Sequence, residues 1–264
     1  MILKGHSGCR LSITPDGNVK KVSSSTEYNS RLIKQANKQD LFKNHNSVRA
    51  PRVLSISTES ELHFFEMEFI KAETFATYLI NEDFSKIKSA FDKILGFVCD
   101  SMDSKDSFDV TEAIYKKAQS INMNQDGNTI SFLRKIESEK LLAPRGYCHG
   151  DLTFENILIN KEMFFIDFLD SFLETPLIDL AKISQEFNVY WSYRNKPNMD
   201  GVLISKIHGL NIMFLELLDS MNKDYKKTFR YLEILNLMRI LPYTSDIGTY
   251  ILLKKAINKL NQFL

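Results

Sequence analysis

Apolar and polar positions alternate in short runs over the first seventy residues. Ile2 to Gly5, Cys9 to Thr14, Asn18 to Ser23, Arg52 to Thr58 and Leu62 to Ile70 each read as a strand. Between them stand turn residues: Gly5-His6-Ser7-Gly8, Pro15-Asp16-Gly17-Asn18 and Glu59-Ser60-Glu61. One helix interrupts the strands from about residue 26 to 42, where Leu32, Ile33, Ala36 and Leu41 form an apolar stripe against a face of lysines and glutamines.

After Lys71 the period changes to that of a helix. Helices are predicted near 74–81, 84–102, 109–122 and 128–141, and again near 177–194, 202–221, 226–241 and 248–264. Between the two helical groups, Ile157-Leu158-Ile159, Asn160-Lys161-Glu162 and Met163-Phe164-Phe165-Ile166 read as a tight hairpin. Its position places Asp151 and Asn156 before the first strand and Asp167 after the second. The expected organisation is an α+β chain with a small mixed lobe, 1–70, and a larger helical lobe, 71–264. No internal repeat or low-complexity tract appears.

Composition narrows the classes. With 264 residues and 44% apolar content the chain can fill a sizeable core. A net charge of +1, from 34 basic and 33 acidic residues, provides no basic field for nucleic acid or an anionic membrane, so neither partner is expected. Cys9, Cys99 and Cys148 are scattered without the spacing of a zinc site or redox pair and read as reduced thiols. The start, MILKGHSG, lacks the apolar core of a signal peptide, and no segment has about 18 uninterrupted apolar residues. A cytoplasmic protein is the expectation.

The chemistry concentrates in YCHGDLTFENIL, residues 147–158, and FFIDFLD, residues 164–170. A carboxylate at Asp151, an amide at Asn156 and a second carboxylate at Asp167 are the groups phosphoryl transfer from a nucleotide requires. One carboxylate orients the attacking hydroxyl and takes its proton, while the others offer hard oxygens to Mg²⁺. The absence of a His/Cys cluster argues against zinc.

His149-Gly150-Asp151 with Asn156, followed by Ile166-Asp167-Phe168, resembles the core of the aminoglycoside phosphotransferase and choline kinase group, small-molecule kinases with a protein-kinase-like two-lobe fold. The specific motifs span about 149–179. The resemblance implies ATP and Mg²⁺ as cofactors, Asp151 as catalytic base, Asn156 and Asp167 as metal ligands, His149 as a loop-orienting residue, and Asp179 as an anchor of the catalytic loop. It also implies that the small lobe binds the nucleotide and the helical lobe the acceptor. Gly150 where protein kinases carry Arg, and the lack of an A-P-E motif, favour a small hydroxylated acceptor over a protein.

Further parts follow from position. Alternation in Val19-Lys20-Lys21-Val22 turns Val19 and Lys21 to one face, so Lys21 resembles the family's phosphate-binding strand lysine. Ser7 and Gly8 lie where the family's nucleotide-covering loop stands, and Glu68 to Ile70 where the hinge backbone would meet adenine. The helix after Lys21 has no Glu at the family's place; Gln35, Gln39 or Glu27 could partner Lys21. Asp170 reads as a turn cap or an extra carboxylate near the metal, and Trp191 to Arg194 as helix-end core or an acceptor pocket. The expected function is transfer of the γ-phosphate to a sugar, polyol or amino alcohol, with surface-glycan synthesis as an expected setting; the alternative is a nucleotide-binding pseudokinase.

Overall fold

The early alternation becomes an antiparallel sheet in the computed structural model, which describes residues 2–4, 8–42, 48–121, 127–196 and 199–264. The chain runs β1 (Ile2–Lys4), β2 (Arg10–Ile13), β3 (Val19–Val22), α1 (Asn29–Asp40), β4 (Val48–Arg49), β5 (Val53–Ser57), β6 (Phe64–Met67) and β7 (Glu73–Thr74). Strands β1, β2, β3, β6 and β5 join in that order. In β3, Val19 and Lys21 are buried while Lys20 and Val22 are partly exposed, the alternation expected of a sheet with one face on a core. That core holds Cys9, Leu32, Ala36 and Phe65, with Tyr28, Val53 and Met67 packed against it, so Leu32 and Ala36 of the expected stripe cover the sheet, whereas Leu41, just past the end of α1, is exposed.

Beyond this stand α2 (Phe75–Asn81), α3 (Phe84–Asp100), β8 (Met102–Asp109), α4 (Thr111–Gln119), α5 (Gly127–Glu137) and β9 (Leu142–Gly146). The chain continues with β10 (Ile157–Ile159), β11 (Met163–Phe165), α6 (Leu177–Val189), α7 (Gly201–Ser220), α8 (Lys223–Met238) and α9 (Ile247–Asn261). Two compact units result: Met1–Phe75 with Glu155–Asp170, and Ala76–Phe154 with Ser171–Leu264. The hairpin β10–β11 thus joins the first unit, because β10 pairs with β7 and β11 runs parallel to β4. A single cut at residue 70 does not capture that return of the chain.

The paired strands β8 and β9 lie between and after the expected helices, where no strand is predicted. Met-Asp-Ser-Lys-Asp-Ser-Phe-Asp has no apolar alternation, so the strand exists through its partner's backbone and not through its own pattern. Helix α5 stops at Glu137, short of the expected 141, and Pro144 lies in the strand that follows. Gly146 closes that strand where a Cβ would stand 1.9 Å from the Ser101 carbonyl oxygen, which only glycine avoids. Helix α6 ends at Val189, with Tyr190 in the left-handed region at φ 48°, so the predicted run to 194 breaks into a short 3₁₀ turn at Trp191–Tyr193.

Rings pack through the second unit. Phe91, Phe154 and Phe187 meet edge-on at centroid distances of 6.0–6.3 Å, and Phe214 continues the series to Phe187 at 5.4 Å and Phe229 at 5.9 Å. Helix α7 buries Leu203, Ile207, Leu210, Phe214 and Leu218 at helical spacing. It leaves Val202, Ile212 and Leu215 exposed. Although it contains Lys206 and Glu216, it is long and apolar enough by composition to cross a membrane, with mean hydropathy 1.4 over its most apolar window.

Candidate functional site

A tight hairpin brings its two ends together, and here both ends carry oxygen donors. Asn156 immediately precedes β10, Asp167 follows β11 by two residues, and the Ile166 N–H donates to the Asn156 carbonyl at 3.0 Å. Ile157 pairs with Phe165, so the register continues the ladder to this end. Asp167 takes a left-handed backbone, φ 64°. For a residue with a side chain that conformation costs on the order of 1–3 kcal/mol, although Asp tolerates it better than most. Phe42 packs on Phe165 and Phe168 at 6.3 and 5.3 Å, holding the strand on either side of the turned residue.

Lys21 reaches the same place. The residue is only 4% exposed, and its ammonium pairs with the Asp167 carboxylate and donates to the Gln35 side-chain oxygen at 3.3 Å. Gln35 in turn donates to the Tyr28 hydroxyl at 2.9 Å. The partner left open by the sequence is therefore Gln35. Gln39 is occupied by the Pro51 carbonyl at 2.7 Å, and Glu27 is exposed, its carboxyl held below the usual range chiefly by a hydrogen bond from Ser25. Lys20 lies outside, 3.4 Å from the Phe64 ring centroid and 3.8 Å from Glu66.

The motif loop itself belongs to the second unit and is docked on α6. Asp179, fully buried in the first turn of α6, accepts from the His149 and Gly150 N–H groups at 2.7 and 2.8 Å. Gly150 has φ 92°, a conformation that favours glycine and lets the loop present two successive amides to one carboxylate. His149, also fully buried, accepts the Asp151 N–H at Nδ1, 3.2 Å away. The Asp151 carboxylate pairs with Lys182 at 2.9 Å. Phe154, seated in the aromatic cluster, donates its N–H to the buried Glu186 at 2.9 Å.

Sequence reasoning missed Lys182 and Glu186. Their signal is faint but present. Positions 179, 182 and 186 are polar at helical spacing in a segment, 177–189, whose other positions are mostly apolar.

Of the other expected residues, Ser7 lies outside the described residues. Gly8, at φ 74°, stands beside Ser24. The Glu68 N–H donates to Arg52 O at 3.0 Å, so that amide is already used, and its side chain is exposed. Ile70 is partly buried in the connection that follows β6. Asp170 pairs with Lys34 at 3.4 Å. Tyr193 is core, its hydroxyl donating to Ala76 O at 2.7 Å, while Arg194 stacks 4.0 Å over Trp191 and bonds its carbonyl.

Among the described residues no three His, Cys, Asp or Glu side chains gather as a metal cage. The hairpin end could instead hold a cation through the Asn156 amide and the Asp167 carboxylate. Two hard oxygens at one end of a rigid hairpin suit Mg²⁺, which takes one or two protein ligands and completes its shell with phosphate and water.

Residues 110–203 match the phosphotransferase enzyme family, APH. The matched segment is about a third of the chain and contains Asp151, Asn156, Asp167, Asp179, Lys182 and Glu186. The APH match indicates a phosphotransferase enzyme, and the mixed α+β architecture is consistent with the two-lobe kinase-like fold. No curated protein matches the chain.

Proposed function

We propose that this APH-like chain is an Mg²⁺- and ATP-dependent phosphotransferase that moves the γ-phosphate to a hydroxyl of a small molecule. The observation that carries the reading is the open end of the hairpin. Asn156 and Asp167 flank that end on its two strands, tied by the Ile166 N–H to the Asn156 carbonyl, and the buried Lys21 pairs with the Asp167 carboxylate.

In this reading Lys21 binds nucleotide phosphate, steadied by Gln35, and the hinge stretch through Glu68 and Ile70 takes the adenine. Asn156 and Asp167 hold the metal, which when bound neutralises charge on the phosphates. Asp151 receives the acceptor hydroxyl and removes its proton. The backbone of its loop is held by Asp179, so the loop needs no reorganisation when the substrate arrives. Lys182 beside Asp151 puts a cation next to the reacting position, which disfavours a polycationic acceptor and suits a neutral or anionic sugar or polyol better than a protonated amino alcohol.

A neutral Gln35 beside Lys21 is the one observation that favours a nucleotide-binding module without turnover. Mg²⁺-dependent ADP release from ATP, measured across hydroxylated metabolites with Asp151→Asn and Asp167→Ala alongside, separates the two. A metabolite-stimulated signal that falls by about a hundredfold or more in both variants is expected. Wild-type turnover in either variant refutes the assigned roles, and ATP binding that ignores Mg²⁺ and yields no ADP supports the module.

A further inference from the structure

A stripe on α6 holds the motif loop at three successive points. Asp179 takes the His149 and Gly150 amides, Lys182 takes the Asp151 carboxylate at 2.9 Å, and Glu186 takes the Phe154 amide. The spacing of three and four residues puts these side chains on one helical face. Two of the contacts hold backbone. The middle one holds the side chain at the centre of the proposed chemistry.

Lys182 is costly where it stands. It is the one cationic residue of α6, its side chain is only 13% exposed, and Ala181 and Ile183 beside it are buried. A desolvated ammonium is retained in such a place only with a compensating anion, and Asp151 is that anion. An apolar residue would satisfy the packing of α6 without any of these costs.

We infer that Lys182 is a positioning residue, holding the Asp151 carboxylate in the rotamer that meets the acceptor hydroxyl. This rests on the reading of Asp151 as the proton acceptor. Lys182 acts through Asp151, so its loss should lower kcat and leave nucleotide affinity alone. Lys182→Met keeps an apolar stem for packing and removes only the charge; Lys182→Arg restores a charge.

The test is steady-state ADP release with ATP and Mg²⁺, water serving as phosphoryl acceptor, for wild type, Asp151→Asn, Lys182→Met and Lys182→Arg, with thermal melting to confirm folding. Lys182→Met is expected to lose about tenfold or more in kcat with the KM for ATP within about twofold of wild type, and Lys182→Arg to recover most of the loss. Three results overturn the role of Lys182 while leaving Asp151 in place: Lys182→Met as fast as wild type, a loss confined to KM, or Lys182→Arg no faster than Lys182→Met. A wild type no faster than Asp151→Asn removes the proton-acceptor reading itself, and the positioning role with it.

Discussion

Replacing Asp179 by Asn changes one atom and should loosen the whole motif loop. The buried carboxylate accepts two backbone N–H groups at 2.7 and 2.8 Å, one on each oxygen. A hydrogen bond to a charged acceptor contributes about 1.5–3 kcal/mol net, and a buried donor left unsatisfied costs about 1–3 kcal/mol. Asn keeps one oxygen, so one bond survives in weakened form. The other N–H faces an NH₂ group, donor against donor. The expected loss is therefore about 2–4 kcal/mol, which lowers the melting temperature by on the order of 10 °C.

Trp191, the chain's single tryptophan, lies in the same compact unit just beyond the end of α6, so its fluorescence during urea unfolding reports on the affected part. The midpoint should fall while the slope stays constant. A change under about 0.5 kcal/mol, the range of an ordinary surface substitution, would show that the two amides do not depend on this carboxylate and would refute the docking argument.

Lys21→Met should abolish most of the stabilisation that ATP with Mg²⁺ confers, because the ammonium buried against Asp167 is lost while its stem is replaced; a melting shift on nucleotide addition equal to that of wild type would remove Lys21 from the phosphate site. Glu233, buried on α8, accepts from Ser184 and from Asn188 at 2.9 Å, yet burial dominates and pushes its carboxyl above the ordinary 4.5. The folded state then holds a proton that the unfolded chain has released, so this group's contribution to stability falls as pH rises from about 4.5 through the raised value. Glu233→Gln, neutral at every pH, should gain stability relative to wild type as pH increases across that window, measured by urea midpoints from pH 4.5 to 8; a constant difference would contradict the burial argument.

Much of the candidate chemistry was legible in the primary structure. Asp151, Asn156 and Asp167 stand within 17 consecutive residues, and the hairpin between the last two is encoded by local alternation around Asn160-Lys161-Glu162. The inward turn of Lys21 followed from period-two alternation alone, and it is buried as that pattern requires. Strand β8 was not legible, since Asp103, Ser104 and Asp106 carry no apolar signal and the strand depends on a partner some forty residues later. Gln35 could not be chosen over Gln39 from sequence, because both lie on the buried face of α1 and only the packing of Pro51 beside Gln39 separates them.

The division follows from the range of the interactions. Periodicity, turn residues and a compact motif act over a few positions, so they specified the order of elements, the hairpin and the kind of chemistry on their own. Lys21 and Asp167 are 146 positions apart, and Asp151 meets Lys182 through a docked loop and a helix formed separately. No local pattern encodes such pairs. They arise when burial of apolar surface brings distant segments together and the polar groups carried along must find partners, and that step belonged to the tertiary structure.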